Sequence, residues 1–138
     1  MLPDPDGDFV VVWTRFESDG FTTTDWRIQI RTLSASGVLG PVETLSETSH
    51  PAFAPSMALT PNGSAVVVWQ ELNGATWRIK ARIQTASESL SLIQTLSPAG
   101  QDAFDPHVAV DTNGNPVAVW RWFDGWNYRV QLVRISLE

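Results

Sequence analysis

The sequence predicts an all-β fold of stacked four-stranded sheets. Three observations carry that reading: a repeat of 51 residues, a composition of strand and turn formers, and an Asp-Gly or Asn-Gly pair at the same place in each copy. Seven Trp, nine Gly and nine Pro in 138 residues, among many Val, Ile and Thr, favour short strands joined by tight turns over long helices. With 43% hydrophobic residues the chain has enough apolar side chains for a real core.

The repeat is found by superposition. Residues 45–69 (LSETSHPAFAPSMALTPNGSAVVVW) lie over residues 96–120 (LSPAGQDAFDPHVAVDTNGNPVAVW) without a gap at an offset of 51. Residues 5–13 (PDGDFVVVW) match residues 61–69 (PNGSAVVVW) at an offset of 56, whereas Trp26-Arg27-Ile28 matches Trp77-Arg78-Ile79 at 51. A five-residue insertion therefore lies between Trp13 and Trp26. The three copies are expected at about 5–46, 47–97 and 98–136.

Each copy resolves into four short strands. Strand A alternates (PSMALT, PHVAVD), strand B is an apolar run (AVVVWQE, PVAVWRW), strand C alternates again (WRIKARI, YRVQLVRI), and strand D is the weaker VETLS or IQTLS. The A to B turns are Asp6-Gly7, Asn62-Gly63 and Asn113-Gly114, which tolerate the positive φ of a tight hairpin. Strand B is apolar throughout because a sheet covered on both faces has no polar side. By this count the first copy supplies B, C and D, the second all four, and the third A, B and C.

The order P-x-V-A-V-D-x-x-G-N, a Val-rich strand, then R-V-Q resembles a bacterial β-propeller repeat, similar to NHL-type blades and more loosely to sialidase-like propellers. The Asp-box spelling Ser-x-Asp-x-Gly-x-Thr-Trp and the WD dipeptide are both absent. The resemblance implies a β-propeller of four-stranded antiparallel blades, about three per chain. Closed propellers have roughly four to eight blades. The expectation is therefore a head-to-tail homo-oligomer, most simply a two-fold dimer of about six blades.

Charge and composition narrow the partners. A net charge of −6 and a pI near 4.7 repel a phosphate backbone, which argues against nucleic acid. Without Cys there is neither a disulfide nor a thiolate metal site. The start shows no basic-then-apolar leader, and no run approaches the ~18 apolar residues of a membrane span, so a soluble chain without a membrane partner is expected. Leu137-Glu138 is a pair that cloning junctions leave, which suggests a piece of something longer. The compartment stays open, with an extracellular or cell-surface parent as the working expectation.

Chemistry is harder to place. Trp13, Trp69 and Trp120, and the series Trp26, Trp77 and Tyr128, recur in every copy and read as packing residues, with Phe53 and Phe104 as plugs between blades. Asp4, Asp6 and Asp8, echoed by Asp111, Asn113 and Asn115, have calcium-loop spacing but lack the closing Glu, so Asx-rich turns are expected. Arg27, Arg78 and Arg129 sit on strand C, where pairing or solvation is expected rather than a substrate clamp. His50 and His107 stand at non-equivalent positions without a Cys or a second His at ligand spacing; no metal and no cofactor are expected.

Positions that break the repeat are the better candidates. The insertion, with Phe21, and the third copy's Trp122, Asp124 and Trp126 fall in B to C loops, and Gln101 and Asp102 in the D to A link are expected to join the same face. Aromatics beside a carboxylate suit a sugar or a protein contact. The sequence thus points to a non-catalytic binding module for a glycan or protein partner. The alternatives are a fragment of a propeller enzyme such as a glycosidase or lyase, and a self-assembling structural segment without a ligand.

Overall fold

The computed structural model describes residues 1–18 and 24–137. Eleven strands and no helix occur among the described residues: β1 (Leu2–Pro3), β2 (Phe9–Ser18), β3 (Thr24–Leu33), β4 (Glu43–Thr44), β5 (Ala52–Leu59), β6 (Ala65–Asn73), β7 (Thr76–Gln84), β8 (Gln94–Thr95), β9 (Asp102–Val110), β10 (Pro116–Phe123) and β11 (Tyr128–Arg134). They form three antiparallel sheets in simple up-and-down order: β1 to β4, β5 to β8, and β9 to β11. It follows that no described helix is long and apolar enough to cross a membrane.

The second sheet explains the apolar run. Side chains alternate across β6, so Ala65, Val67 and Trp69 pack with Val10, Ile28, Ile30 and Leu45 of the first sheet, while Val66 and Val68 pack with Ala118 and Trp120 of the third. All five β6 side chains are buried, because this sheet has a neighbour on each face. Contact is closest on the inner strands: β5 packs on β2 and β3, and β9 packs on β5, β6 and β7. The sheets converge at their first strands, which makes the stack propeller-like.

The A to B turns are built alike. Asp4 Oδ1 accepts the amides of Asp6 and Asp8, Asp111 Oδ1 those of Asn113 and Asn115, and Thr60 Oγ1 that of Ser64. The turns at Asp4 and Asp111 are the expected Asx-type turns, and in the one between them the Thr60 hydroxyl takes the carboxylate's place. Only the glycine of each pair takes a positive φ, +84° at Gly114, where an added Cβ would also stand 3.2 Å from Pro61 Cδ of the neighbouring turn. The three turns meet around an open cleft of about 420 Å³ lined by Pro3, Asp4, Pro5, Leu59, Thr60, Pro61, Val110 and Asp111.

One feature differs from the strand count expected from the sequence. The first sheet has an A strand after all, since Leu2 and Pro3 pair with Val10 and Phe9. A stub of two residues is enough for a ladder but too short to register in a repeat comparison. The D strands are likewise only two residues long, Glu43–Thr44 and Gln94–Thr95.

The end sheets each carry an uncovered face. Register pairing sets Val119 beside Leu132 and Phe123 beside Tyr128 on the side of the third sheet that faces away from the second. Val130 is 77% and Leu132 66% exposed, while their counterparts 51 positions earlier, Ile79 and Ala81, are both 0% exposed. On the first sheet Val11 and Trp13 are half-buried where their counterparts Val67 and Trp69 are fully buried.

This pairing makes a prediction. Ile79→Ala should lower unfolding free energy by about 2–5 kcal/mol, the usual loss for a fully buried large aliphatic. Val130→Ala, at the same repeat position, should change monomer stability by no more than ~0.5 kcal/mol. Urea denaturation at low protein concentration measures both.

Candidate functional site

The rim at the B to C end is assembled from the link preceding each sheet and the loops of its neighbour. The amide of Trp77, at the start of β7, donates to Asp102 Oδ1 at the start of β9 (2.9 Å), and the amide of Ser49 reaches Asp25 Oδ2 (3.3 Å). Aromatic rings follow the same path. Phe16, Trp26, Phe53, Trp77 and Phe104 stand in a row with centroids 4.8, 5.2, 5.7 and 6.2 Å apart. Arg121 continues it, its guanidinium 5.2 Å from the Phe104 centroid and 4.5 Å from that of Tyr128, which in turn meets Phe123. Phe53 is thus wedged between the rings of Trp26 and Trp77, and Phe104 between the Trp77 ring and the Arg121 guanidinium; aromatic pairs of this kind add about 0.5–1.5 kcal/mol beyond area burial.

The residues singled out from the sequence are distributed unevenly along this rim. Trp126 stands out into solvent at 88% exposure. Asp124 builds the turn that presents it: Oδ1 accepts the amides of Trp126 (2.8 Å) and Asn127 (2.7 Å), and Oδ2 accepts from Arg129 Nε. The amide of Asn127, then Arg129 and the amide of Trp126, hold the Asp124 carboxyl well below the usual range, at about 2. Trp122 lies on the other face of β10, packed against the core shared by the second and third sheets. Asp102 is committed to Trp77, and Gln101 is half-buried beside it in the link. Phe21 lies outside the described residues.

The recurrent arginines are structural ties. Arg27 pairs with Asp25 (2.9 Å), Arg129 with Asp124, and Arg78 donates to the carbonyl of Ser97 (2.6 Å).

A second cluster was missed on the sequence. Glu71 of β6 is 0% exposed between the first two sheets, and its Oε1 accepts from Trp69 Nε1 at 3.2 Å. Its Oε2 is buried without a hydrogen bond, 3.8 Å from His50 Nδ1 and 3.9 Å from Lys80 Nζ. His50 Nδ1 in turn lies 3.2 Å from Glu47 Oε2, and Lys80 donates to Thr95 Oγ1 (2.6 Å). Burial raises the Glu71 carboxyl above its ordinary value, opposed by the Trp69 hydrogen bond and then by Lys80 and His50, while the nearby Glu47 adds to the rise.

The repeat shows how particular this cluster is. Arg15 and Trp122 occupy the Glu71 position in the other two copies, and Gln101 occupies that of His50. In the third sheet Trp120 Nε1, Gln101 Oε1 and Gln131 Oε1 are all buried without a hydrogen bond. The signal available in the sequence was a carboxylate at a repeat position that holds Arg15 in the first copy and Trp122 in the third.

No family model matches the chain, and no curated protein matches it. Among solved structures it is similar to the endo-arabinase from Bacteroides thetaiotaomicron VPI-5482, at 13% identity with a TM-score of 0.60. That match covers 99% of this chain and 55% of the other, so the chain spans about half the length of the enzyme it resembles. At that identity the likeness speaks to fold alone. It agrees with an all-β stack of antiparallel sheets.

The buried carboxyl has a pH signature. A folded-state value above the unfolded one means the native chain holds a proton longer, so Glu71 favours folding at low pH and loses that contribution as pH rises through its native value. Replacing it by Gln removes the slope. Between about pH 4 and about pH 7 the stability of Glu71→Gln relative to wild type should increase with pH, measured by denaturant titration. A constant difference would contradict the burial effect.

Proposed function

We propose that the chain is a non-catalytic, propeller-like binding module that takes a carbohydrate at the third-sheet end of the rim. The observation that supports this most is Trp126, whose 88% exposure leaves an indole open to stacking while Asp124 fixes the turn beneath it. A large exposed aromatic on a pre-organised loop gives contact area at small entropic cost. Half-exposed Tyr128 and Phe123, paired across the strand ends that flank this loop, extend the apolar surface. A glycan array should show binding by wild type and at least a tenfold loss, roughly 1.4 kcal/mol, in Trp126→Ala with an unchanged melting temperature. Undiminished binding by the variant, or no glycan bound by wild type, would remove this reading.

The partner expected on the uncovered faces is a second copy, docked head to tail. Val117, Val119, Val130 and Leu132 occupy the repeat positions of Val66, Val68, Ile79 and Ala81, which inside the chain pack on the following sheet. Val11 and Trp13 occupy those of Val67 and Trp69, which pack on the preceding one. Joining the two faces continues an interface the chain already makes twice. Sedimentation equilibrium should give a mass above the 15.2 kDa of one chain, and Val130→Asp with Leu132→Asp should return it to that value. A wild-type chain that stays a cooperatively folded monomer would defeat the proposal.

A fragment of a glycosidase is the second reading, favoured by the likeness to an endo-arabinase and by the approach of two carboxylates, Glu47 and Glu71. Against it, Glu71 has no accessible surface with which to meet a substrate. Release of reducing ends from a polysaccharide, abolished by Glu71→Gln, would favour it.

A further inference from the structure

We propose that Glu47, His50 and Glu71 form a binding site for a divalent transition-metal cation of the zinc class. One ligand atom from each residue lies within 4.8 Å of those of the other two, and His50 Nδ1 stands 3.2 Å from Glu47 Oε2 and 3.8 Å from Glu71 Oε2. Donors bound at about 2.0–2.1 Å in a tetrahedral arrangement stand roughly 3.3 Å apart. Two edges of the triangle are therefore close to the spacing a zinc ion imposes, and a small movement of the exposed Glu47 side chain closes the third. One nitrogen and two carboxylate oxygens suit zinc better than calcium, which takes about six to eight oxygens.

An independent observation points the same way. Glu71 is fully buried, yet its Oε2, the atom aimed at His50, has no hydrogen bond. A buried carboxylate oxygen without a hydrogen bond is costly, and a coordinated cation satisfies it directly. Trp69 Nε1 meanwhile holds Oε1 at 3.2 Å and so fixes the carboxylate plane, as an outer-shell donor does at a metal site. Lys80 is the competing cation at 3.9 Å, but its ammonium is hydrogen-bonded to Thr95 and makes no hydrogen bond to Glu71. The solvent side of the site is the exposed one, with the Glu47 and His50 side chains 52% and 36% accessible, so an ion can enter there and keep a water as its fourth ligand.

The site belongs to one interface only. At the equivalent place between the second and third sheets, Gln101 and Trp122 replace His50 and Glu71 and Pro98 replaces Glu47, which leaves no carboxylate and no imidazole.

Calorimetric titration of chelator-treated protein with zinc chloride tests this, read beside thermal melting in the same buffer. One zinc per chain and a raised melting temperature are expected. His50→Gln, which installs the residue found at the matching third-repeat position, and Glu47→Gln should each weaken binding at least about tenfold, whereas His107→Gln should leave it unchanged. Both informative variants alter groups at the accessible edge, so folding is preserved even if Glu71→Gln fails to fold. Absence of stoichiometric zinc binding, retention of full affinity in His50→Gln and Glu47→Gln, its loss in His107→Gln, or tighter binding of calcium than of zinc would each overturn the assignment.

Discussion

A sheet whose two faces are both apolar is held in water only by what lies on either side of it, and this chain meets that constraint fully at one place. The second sheet is covered by the first through Trp69 and Val67 and by the third through Val66, Val68 and Ile79. Each of the aliphatic side chains among them is worth about 1.5–3 kcal/mol on full burial. The first and third sheets receive that stabilisation on one side each. Their inner strands approach the second sheet, the turns gather around a common cleft, and the row of rings from Phe16 to Phe104 stitches successive sheets together at the opposite end.

Repetition accounts for the core, and departures from it account for the polar chemistry. A single repeat position holds Arg15, Glu71 and Trp122 in turn. Where Glu71 stands, the indole of Trp69 finds an acceptor; where Trp122 stands, Trp120 Nε1 is buried without one. One substitution therefore adds apolar contact in the third sheet and leaves a donor unsatisfied, while in the second it places a carboxylate in a desolvated crevice beside an imidazole and an ammonium. The rim divides similarly: Asp102 and Arg78 serve the scaffold, and Trp126 projects from it.

Much of the fold was legible because its signals are local. The Asn-Gly and Asp-Gly turns, the alternation in strands A and C and the unbroken valines of strand B each report on a few neighbouring residues, and the 51-residue offset ties them together. The β1 stub escaped because two residues leave no periodicity to detect. The candidate site was less readable for the opposite reason. His50 has no second His or Cys at ligand spacing in the sequence, yet its neighbour in space is Glu71, placed beside it by the pairing of Ala52 with Glu71 across β5 and β6. Trp122 and Trp126 looked alike in sequence; the two faces of β10 and its following turn send one into the core and the other into solvent.

Native-state hydrogen exchange, residue by residue, tests the stacking constraint most directly. If stability comes from cover on both faces, the slowest amides of the chain belong to the β6 and β7 segments around Val67, Trp69 and Ile79, and those of β2 and β10 exchange faster. Equal protection across the three sheets, or the slowest exchange in β10 and β11 of dilute monomer, would contradict it.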